Sequence, residues 1–145
     1  MPVPAALDEI VDDFADAPPD LRVEMLFEYS EQLPPLPPEA AGHGGMEQVT
    51  ECQTPFFLAA RLGPDDRVDI TFDCPPEAPT TRGFAGILAV GLDGAFAEEV
   101  LAVPDDFYLR MGLGQAISPL RLRGMAAILA RLKRQIREAL AARAA

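Results

Sequence analysis

The spacing of apolar and polar residues divides the chain into helices, then strands, then helices again. Near the N-terminus apolar residues recur at the i, i+3, i+4, i+7 spacing of one helix face, at Leu7, Ile10, Val11 and Phe14. A second helix is predicted after Pro18 and Pro19, ending before the proline-rich run 33–40. Proline cannot continue a helix because it lacks the amide donor. The pattern predicts an N-terminal helix pair.

The middle of the chain has a different period. Residues 67–73 alternate strictly between polar and apolar, and the other two segments predicted as strands are 46–50 and the largely apolar 56–62. A period of two is typical of strands, so three strands are predicted. The four-residue turn 63–66, Gly-Pro-Asp-Asp, makes the second and third strands antiparallel.

The helical period returns after Pro79, with one predicted face formed by Phe84, Ile87, Leu88 and Gly91. Two further glycines lie inside this helix, at positions 83 and 86. An interior glycine costs a helix about 1 kcal/mol relative to alanine. We therefore expect these two glycines to let the helix approach the sheet closely.

Shorter helices are predicted over 95–102 and 105–111, interrupted by glycines at 112 and 114. Ser118 then caps a long final helix that begins at Pro119. Its apolar stripe consists of Leu122, Met125, Leu129, Leu132, Ile136 and Leu140. This order of elements predicts one α+β domain over residues 1–145, in which helices cover one face of a small three-stranded antiparallel sheet.

Composition restricts the partners. The 145 residues include 12 basic and 23 acidic side chains, for a net charge of −11. Nucleic acids and anionic membranes would repel such a chain, so neither is expected as its main partner. No apolar stretch reaches the ~20 residues of a membrane span. The start, MPVPAALDEI, lacks the features of a secretory signal, so a cytoplasmic protein is expected.

The charge is unevenly distributed. Residues 1–115 hold five basic and 22 acidic side chains, whereas 116–145 hold seven basic and one acidic. The basic residues alternate with apolar ones at helical spacing, which favours a packed helix with a solvated face. A basic segment for an acidic partner is the alternative.

Cys52 is the main candidate for chemistry. It lies between two predicted strands, among polar residues and before Pro55, so its thiol is expected at an exposed loop tip. A working thiol and an incidental surface cysteine both fit this setting. Glu51 disfavours the thiolate, whereas Arg82 or Arg121 would favour it if the fold brings either close.

The remaining thiol and imidazole groups do not predict a metal site. Cys74 is separated from Cys52 by 21 residues, and the sequence has a single histidine, His43. These residues form neither a disulfide framework nor a four-ligand zinc site. Cys74 is interpreted as incidental, with a resolving cysteine as the alternative.

Several segments together resemble one family. VTECQTPFF, FDCPPEAPTTRGFAGILAVGLDG and VPDDFYLRMGLGQAISPLRLRGMAAILARLKRQI follow the helix pair LDEIVDDF and RVEMLFEYSEQLPPLP. In this order they resemble the SufE family of sulfur-acceptor proteins. The resemblance implies a SufE/NifU-like fold, shared with iron–sulfur scaffold proteins. It also implies a protein that takes sulfur from the persulfide of a pyridoxal-phosphate-dependent, SufS-like cysteine desulfurase, stimulates that enzyme, and delivers the sulfur for iron–sulfur cluster assembly.

The resemblance assigns roles to particular residues. Cys52 matches the persulfide-carrying cysteine, within an active-site loop that includes Glu51, Gln53 and Thr54. Arg121 matches the family's arginine at the start of the last helix, and Arg82 is similarly placed before a helix. Both arginines are candidates for contacts with the thiolate or a partner.

The same resemblance describes the surroundings of the cysteine and its partners. The loop is expected to tuck toward an apolar surface, for which Phe56, Phe57 and Phe72 are candidates, although strand residues of this kind more often belong to the core. No cofactor is expected beyond the transient persulfide, since the pyridoxal phosphate belongs to the desulfurase. A downstream iron–sulfur scaffold complex is the expected next partner, and a homodimer is compatible with the sequence.

Two other functions remain open. An iron–sulfur scaffold would share the fold, but clusters usually need about four thiolate ligands, and this chain has two distant cysteines. A stand-alone thiol redox protein would use Cys52 with Cys74 as its resolving partner. In the leading interpretation the chain acts as a persulfide carrier with its desulfurase, rather than as an independent enzyme.

Overall fold

The computed structural model describes residues 3–144, in which two helices precede a three-stranded sheet and five helices follow it. The helices are α1 (Ala5–Asp16), α2 (Pro19–Ser30), α3 (Pro79–Leu92), α4 (Ala97–Leu101), α5 (Phe107–Arg110), α6 (Leu113–Ala116) and α7 (Pro119–Ala144). The strands are β1 (Glu47–Gln48), β2 (Phe57–Leu62) and β3 (Val68–Asp73). Short 3₁₀ turns cover Pro38–Ala40 and Pro64–Asp66. The predicted α+β arrangement is confirmed.

The sheet has the order β1-β2-β3 with both pairs antiparallel. Leu58 of β2 pairs with Phe72 of β3, and Ala60 pairs with Ile70. β1 is shorter than the predicted strand 46–50 because the chain turns there: the Cys52 amide donates to the Val49 carbonyl at 3.2 Å. The sheet therefore ends immediately before the candidate cysteine.

The N-terminal helices pack on α3. All four predicted apolar residues of α1 are buried, and α2 buries Leu26. The expectation that Gly83 and Gly86 approach the sheet is wrong. A Cβ added at either position would overlap a backbone carbonyl of α2, that of Leu26 or Tyr29 respectively. The glycines instead bring α3 against α2, which leaves α7 as the helix that covers β2.

The long helix α7 begins as predicted. The Ser118 hydroxyl accepts a hydrogen bond from the Arg121 amide at 3.3 Å, and Pro119 occupies the first helical position. Most of the predicted stripe is buried, together with Ile128, while Leu122 and Leu140 are partly buried. Lys133 is also buried, because its ammonium donates to the Val103 carbonyl and to Asp105.

Most of the buried apolar side chains of α1, α3, α7 and the sheet join in one cluster. The shorter helices add to it with, among others, Val100, Phe107 and Leu113. Gly112, at φ 76°, separates α5 from α6, where the sequence predicted an interruption without a further helix. Across residues 3–144, no helix combines the length and the apolar character that a membrane span requires.

Candidate functional site

The Cys52 loop, residues 50–54, connects β1 to β2 and rests on α7. The expected exposed thiol is wrong: Cys52 is half-buried and packs against the hydrophobic core. Gly124 of α7 makes room for it, since a Cβ added there would lie 3.3 Å from the Cys52 sulfur. The sulfur also lies 4.0 Å from the Gly124 carbonyl oxygen. The loop therefore folds back onto the final helix instead of projecting into solvent.

Cys52 lines a cleft of about 240 Å³, together with Gln53 and Thr54 of its loop, α2 and the first turns of α3 and α7. Phe27, Leu120 and Met125 supply its apolar surface, and the first two remain 40% and 44% exposed. The three phenylalanines considered from the sequence do not line it. Two of them, Phe56 and Phe72, belong to the core. The shelter beside Cys52 comes from helices instead.

The two candidate arginines are placed differently. Arg121 lines the cleft together with Cys52, and its Nη1 donates to the Thr80 hydroxyl at 3.5 Å. Arg82 donates from Nε to the Ser30 carbonyl at 3.1 Å and from Nη1 to the Cys74 carbonyl at 2.7 Å. Arg82 thus ties α3 to the end of α2 and to the segment after β3, and it is not part of the cleft lining.

The remaining residues of the Cys52 loop differ in their contacts. Gln53 and Thr54 line the cleft, and within the described residues the buried Thr54 hydroxyl has no hydrogen-bond partner. Glu51 turns away toward α7, where it accepts a hydrogen bond from Nη2 of Arg131 at 2.5 Å. The carboxylate beside the cysteine is therefore paired with a cation that the sequence analysis did not identify.

Burial and charge keep the Cys52 thiol protonated. Burial raises the pKa of Cys52 to about 11; Glu51 and Cys74 add to the rise, and Arg131 acts against it. With such a pKa, only about one thiol in a few thousand is ionised near pH 7.5, against roughly one in ten for an ordinary cysteine. In this position burial favours the protonated thiol over the thiolate.

Cys74 lies in the core at 4% exposure and does not line the cleft. Burial raises its pKa to about 11, and the guanidinium of Arg82 opposes that rise. Both cysteines are free. Cys74 thus occupies the position of a core side chain.

His43 closes a turn next to the sheet. Its Nε2 lies 2.6 Å from Oδ2 of Asp73, and its ring stacks on Phe57 with centroids 3.7 Å apart. These contacts hold the glycine-rich segment before β1 against β2 and β3. In the part of the chain that the structure describes, no group of three or more His, Cys, Asp and Glu side chains is placed to hold a metal ion.

Sequence reasoning missed several residues at this site, among them Gly124, Phe27 and Arg131. Gly124 could have been identified, since a glycine inside a long helix indicates a close approach. Arg131 was one of seven basic residues in the C-terminal segment and was counted with its solvated face. Phe27 follows Leu26 on α2, and only the packing of α2 on α3 brings it to the cleft.

Comparisons with known proteins agree with this geometry. The SufE family model, described as an Fe–S metabolism associated domain, matches residues 8–136. SufE-like proteins from two strains of Mycobacterium tuberculosis are 52% identical to this chain over 137 residues, covering 94% of it and 95% of each relative. The chloroplastic/mitochondrial SufE-like protein 1 of Arabidopsis thaliana is 28% identical over 124 residues, which cover 85% of this chain and 32% of that protein.

A solved structure shows the same fold. The solution structure of a hypothetical protein from Thermus thermophilus matches with a TM-score of 0.85 at 44% identity, covering 96% of this chain and 98% of that one. The family match spans most of the chain, and two relatives exceed half identity over nearly their whole length. The chain therefore belongs to the SufE family, which is associated with Fe–S metabolism.

Proposed function

We propose that Cys52 accepts sulfur from the active-site persulfide of a cysteine desulfurase and passes it on for iron–sulfur cluster assembly. Membership in the SufE family supports a sulfur-transfer role in Fe–S metabolism with a cysteine desulfurase as partner. The observation that carries the assignment is the position of Cys52, which lines a cleft while Cys74 is enclosed in the core. The chain carries no cofactor of its own, because the pyridoxal phosphate belongs to the partner.

The transfer is a thiol exchange at sulfur. Cys52 first releases its proton to solvent, and its thiolate attacks the outer sulfur of the partner's Cys–S–SH. A bond forms between Cys52 and that sulfur while the partner's sulfur–sulfur bond breaks. The partner's cysteine leaves as a thiolate. No net oxidation occurs, since one persulfide is consumed and one is formed.

The resting position of Cys52 favours storage over attack. With a pKa raised to about 11 by burial, the thiol has little nucleophilic form until the Cys52 loop moves. Arg121 lines the same cleft, where its guanidinium donates to the Thr80 hydroxyl and adds a positive charge. After transfer, Phe27, Leu120 and Met125 shield the persulfide from reductants. Loading and release then require an open loop, and storage requires a closed one.

Intact mass measurement tests the acceptor role. The protein is incubated anaerobically with a cysteine desulfurase, pyridoxal phosphate and cysteine. We expect a gain of about 32 Da that dithiothreitol reverses. Reversal distinguishes a persulfide from a sulfinic acid, which has nearly the same added mass but is not reduced by thiols. Cys74→Ala should retain the adduct and Cys52→Ser should lose it. An adduct that persists in Cys52→Ser, or its absence from the unmodified protein, would refute the proposal.

A further inference from the structure

Arg131 joins the Cys52 loop to the sheet through two carboxylates. Its Nη2 lies 2.5 Å from Oε1 of Glu51, and its Nη1 lies 2.6 Å from Oε2 of Glu47. The Arg131 side chain is 24% exposed, and that of Glu51 is 40% exposed. One guanidinium therefore bridges a strand residue and the residue immediately before the candidate cysteine, at the edge of solvent.

The Glu47 side of this bridge is fixed. Glu47 belongs to β1, where it pairs with Leu58 of β2. Its carboxylate also accepts hydrogen bonds from Arg134 and, at 2.9 Å, from the side-chain amide of Gln135. Losing Arg131 would leave these contacts in place. Within residues 3–144, the other hydrogen bonds of the Glu51 carboxylate are local, with its own backbone amide and with the neighbouring Thr50 hydroxyl at 3.5 Å.

Arg131 lies on the same face of α7 as Gly124, the residue against which Cys52 packs. Gly124, against which Cys52 packs, precedes Arg131 by seven residues, which is about two helical turns. The Cys52 loop is therefore attached to α7 at two points, by the sulfur at Gly124 and by the Glu51 carboxylate at Arg131. Release of the second attachment would leave the loop in contact with α7 through its packing at Gly124.

We propose that the Arg131–Glu51 ion pair is a latch that holds the Cys52 loop closed on α7 and sets how often the thiol becomes accessible. The latch makes Arg131 a positioning residue for sulfur transfer, and this consequence rests on the acceptor role proposed above. Its effect on thiol access does not depend on that role, because it follows from the loop contacts alone.

The exposure of the pair suits a latch that must open. Partly exposed ion pairs bias a local equilibrium by about 2- to 5-fold and weaken with added salt. A bias of this size keeps the loop mostly closed, yet contacts with a partner can overcome it. A fully buried pair would hold the loop too firmly, because breaking it leaves an uncompensated charge.

Alkylation of Cys52 by iodoacetamide, in a Cys74→Ala background, tests the latch. Burial raises the pKa of Cys52 and Arg131 acts against that rise, so loss of the cation alone would slow alkylation. Opening of the loop would accelerate it. We expect Arg131→Met to increase the rate by about 2- to 5-fold at neutral pH. An unchanged or slower rate would overturn the latch.

Matched variants isolate the contact with Glu51. Arg134 pairs with Glu47 and Glu138 instead of Glu51, so Arg134→Met should leave the rate unchanged. Arg131→Lys should restore part of the protection. If Arg131→Met does not fold, amide hydrogen exchange in residues 50–54 of Glu51→Gln replaces the alkylation measurement. We expect faster exchange there, and unchanged exchange contradicts the latch.

The outcomes for the latch and for the acceptor role are separate. Failure of the unmodified protein to gain sulfur would refute the acceptor role and leave the alkylation result valid. Conversely, normal sulfur loading with slow alkylation of Arg131→Met would refute the latch alone.

Discussion

Cys52 depends on a residue that has no side chain. Its sulfur fits against α7 only because Gly124 leaves space, and a Cβ there would be closer to the sulfur than ordinary packing distance. With a Cβ at position 124, Cys52 or α7 must move by a few tenths of an ångström. A loop at the surface can move more easily than the backbone of a long helix, so the loop is the part expected to shift.

We predict that Gly124→Ala displaces the Cys52 loop without destabilising the domain. Alanine gains about 1 kcal/mol over glycine in a helix interior, which offsets the loss of loop packing. The free energy of unfolding should change by less than about 1 kcal/mol, and alkylation of Cys52 should be faster. Urea titration and alkylation rates measure the two effects. Gly44→Ala, where a Cβ meets no atom within 4 Å, is the control and should not alter the alkylation rate.

At the residue scale the sequence made Cys52 the candidate for chemistry and predicted an exposed thiol, whereas the residue is half-buried. The polar neighbours of Cys52 and its position between two strands indicated a reactive loop cysteine. Its burial depends on Gly124 and Phe27, which are distant in sequence and meet the loop only after the helices pack. Local patterns contain no information on such contacts, so the exposed thiol was the expectation that failed.

At the scale of elements, the α2–α3 contact shows how closely two backbones approach. Gly83 and Gly86 lie three residues apart on α3, and each faces a carbonyl oxygen of α2. Neither carbonyl can move independently of its helix. The contact between α2 and α3 therefore requires glycine at both positions, because any side chain would overlap the α2 backbone.

We predict that Gly86→Ala destabilises the domain by about 2 kcal/mol or more, because the added Cβ overlaps the Tyr29 backbone. The midpoint of urea unfolding measures the change. Gly44→Ala is the matched control, since a Cβ at that position meets no atom within 4 Å. Equal stability of the two variants would contradict the close approach of α2 and α3.

The apolar periodicity of the sequence predicted the helices and strands better than it predicted which of them pack together. The apolar spacing of α1 and α7 identified most of their buried faces, and the alternation in 67–73 identified β3. The same spacing cannot tell which element a face meets. The glycines of α3 were accordingly assigned to the sheet, although they meet α2.

At the scale of the whole molecule, the basic C-terminal segment neutralises acidic groups elsewhere in the chain. Arg131, Lys133 and Arg143 of α7 pair with carboxylates near the sheet or after α4. Arg143 also donates to two carbonyls at the β2–β3 turn, those of Leu62 and Gly63. The predicted packed helix is observed, but part of its basic side is engaged within the molecule.

These contacts predict a stability change at acid pH. Burial alone would raise the pKa of Glu47, but hydrogen bonds from Gln135, Arg131 and Arg134 outweigh it and lower the pKa from 4.5 to about 2. Because the folded-state pKa is the lower one, the ionised Glu47 stabilises the fold above about pH 4.5 and this contribution is lost as the pH falls toward 2.

Glu47→Gln should therefore lose less stability than the unmodified protein between pH 4.5 and pH 2, by on the order of 1 to 2 kcal/mol after solvent screening. Urea titrations across this pH range measure the difference. Glu24→Gln, on the exposed side of α2, provides the control and should follow the unmodified protein. Parallel curves for all three proteins would contradict the role of Glu47.

The burial of Cys74 gives the molecule two sulfhydryls that report on different motions. We expect Cys52 to react when its loop opens, and Cys74, at 4% exposure in the core, to react when the domain unfolds. With excess alkylating reagent, modification of Cys52 therefore reports opening of the loop, and modification of Cys74 reports the population of unfolded chains. Each molecule thus carries its own internal reference for distinguishing a local opening from global unfolding.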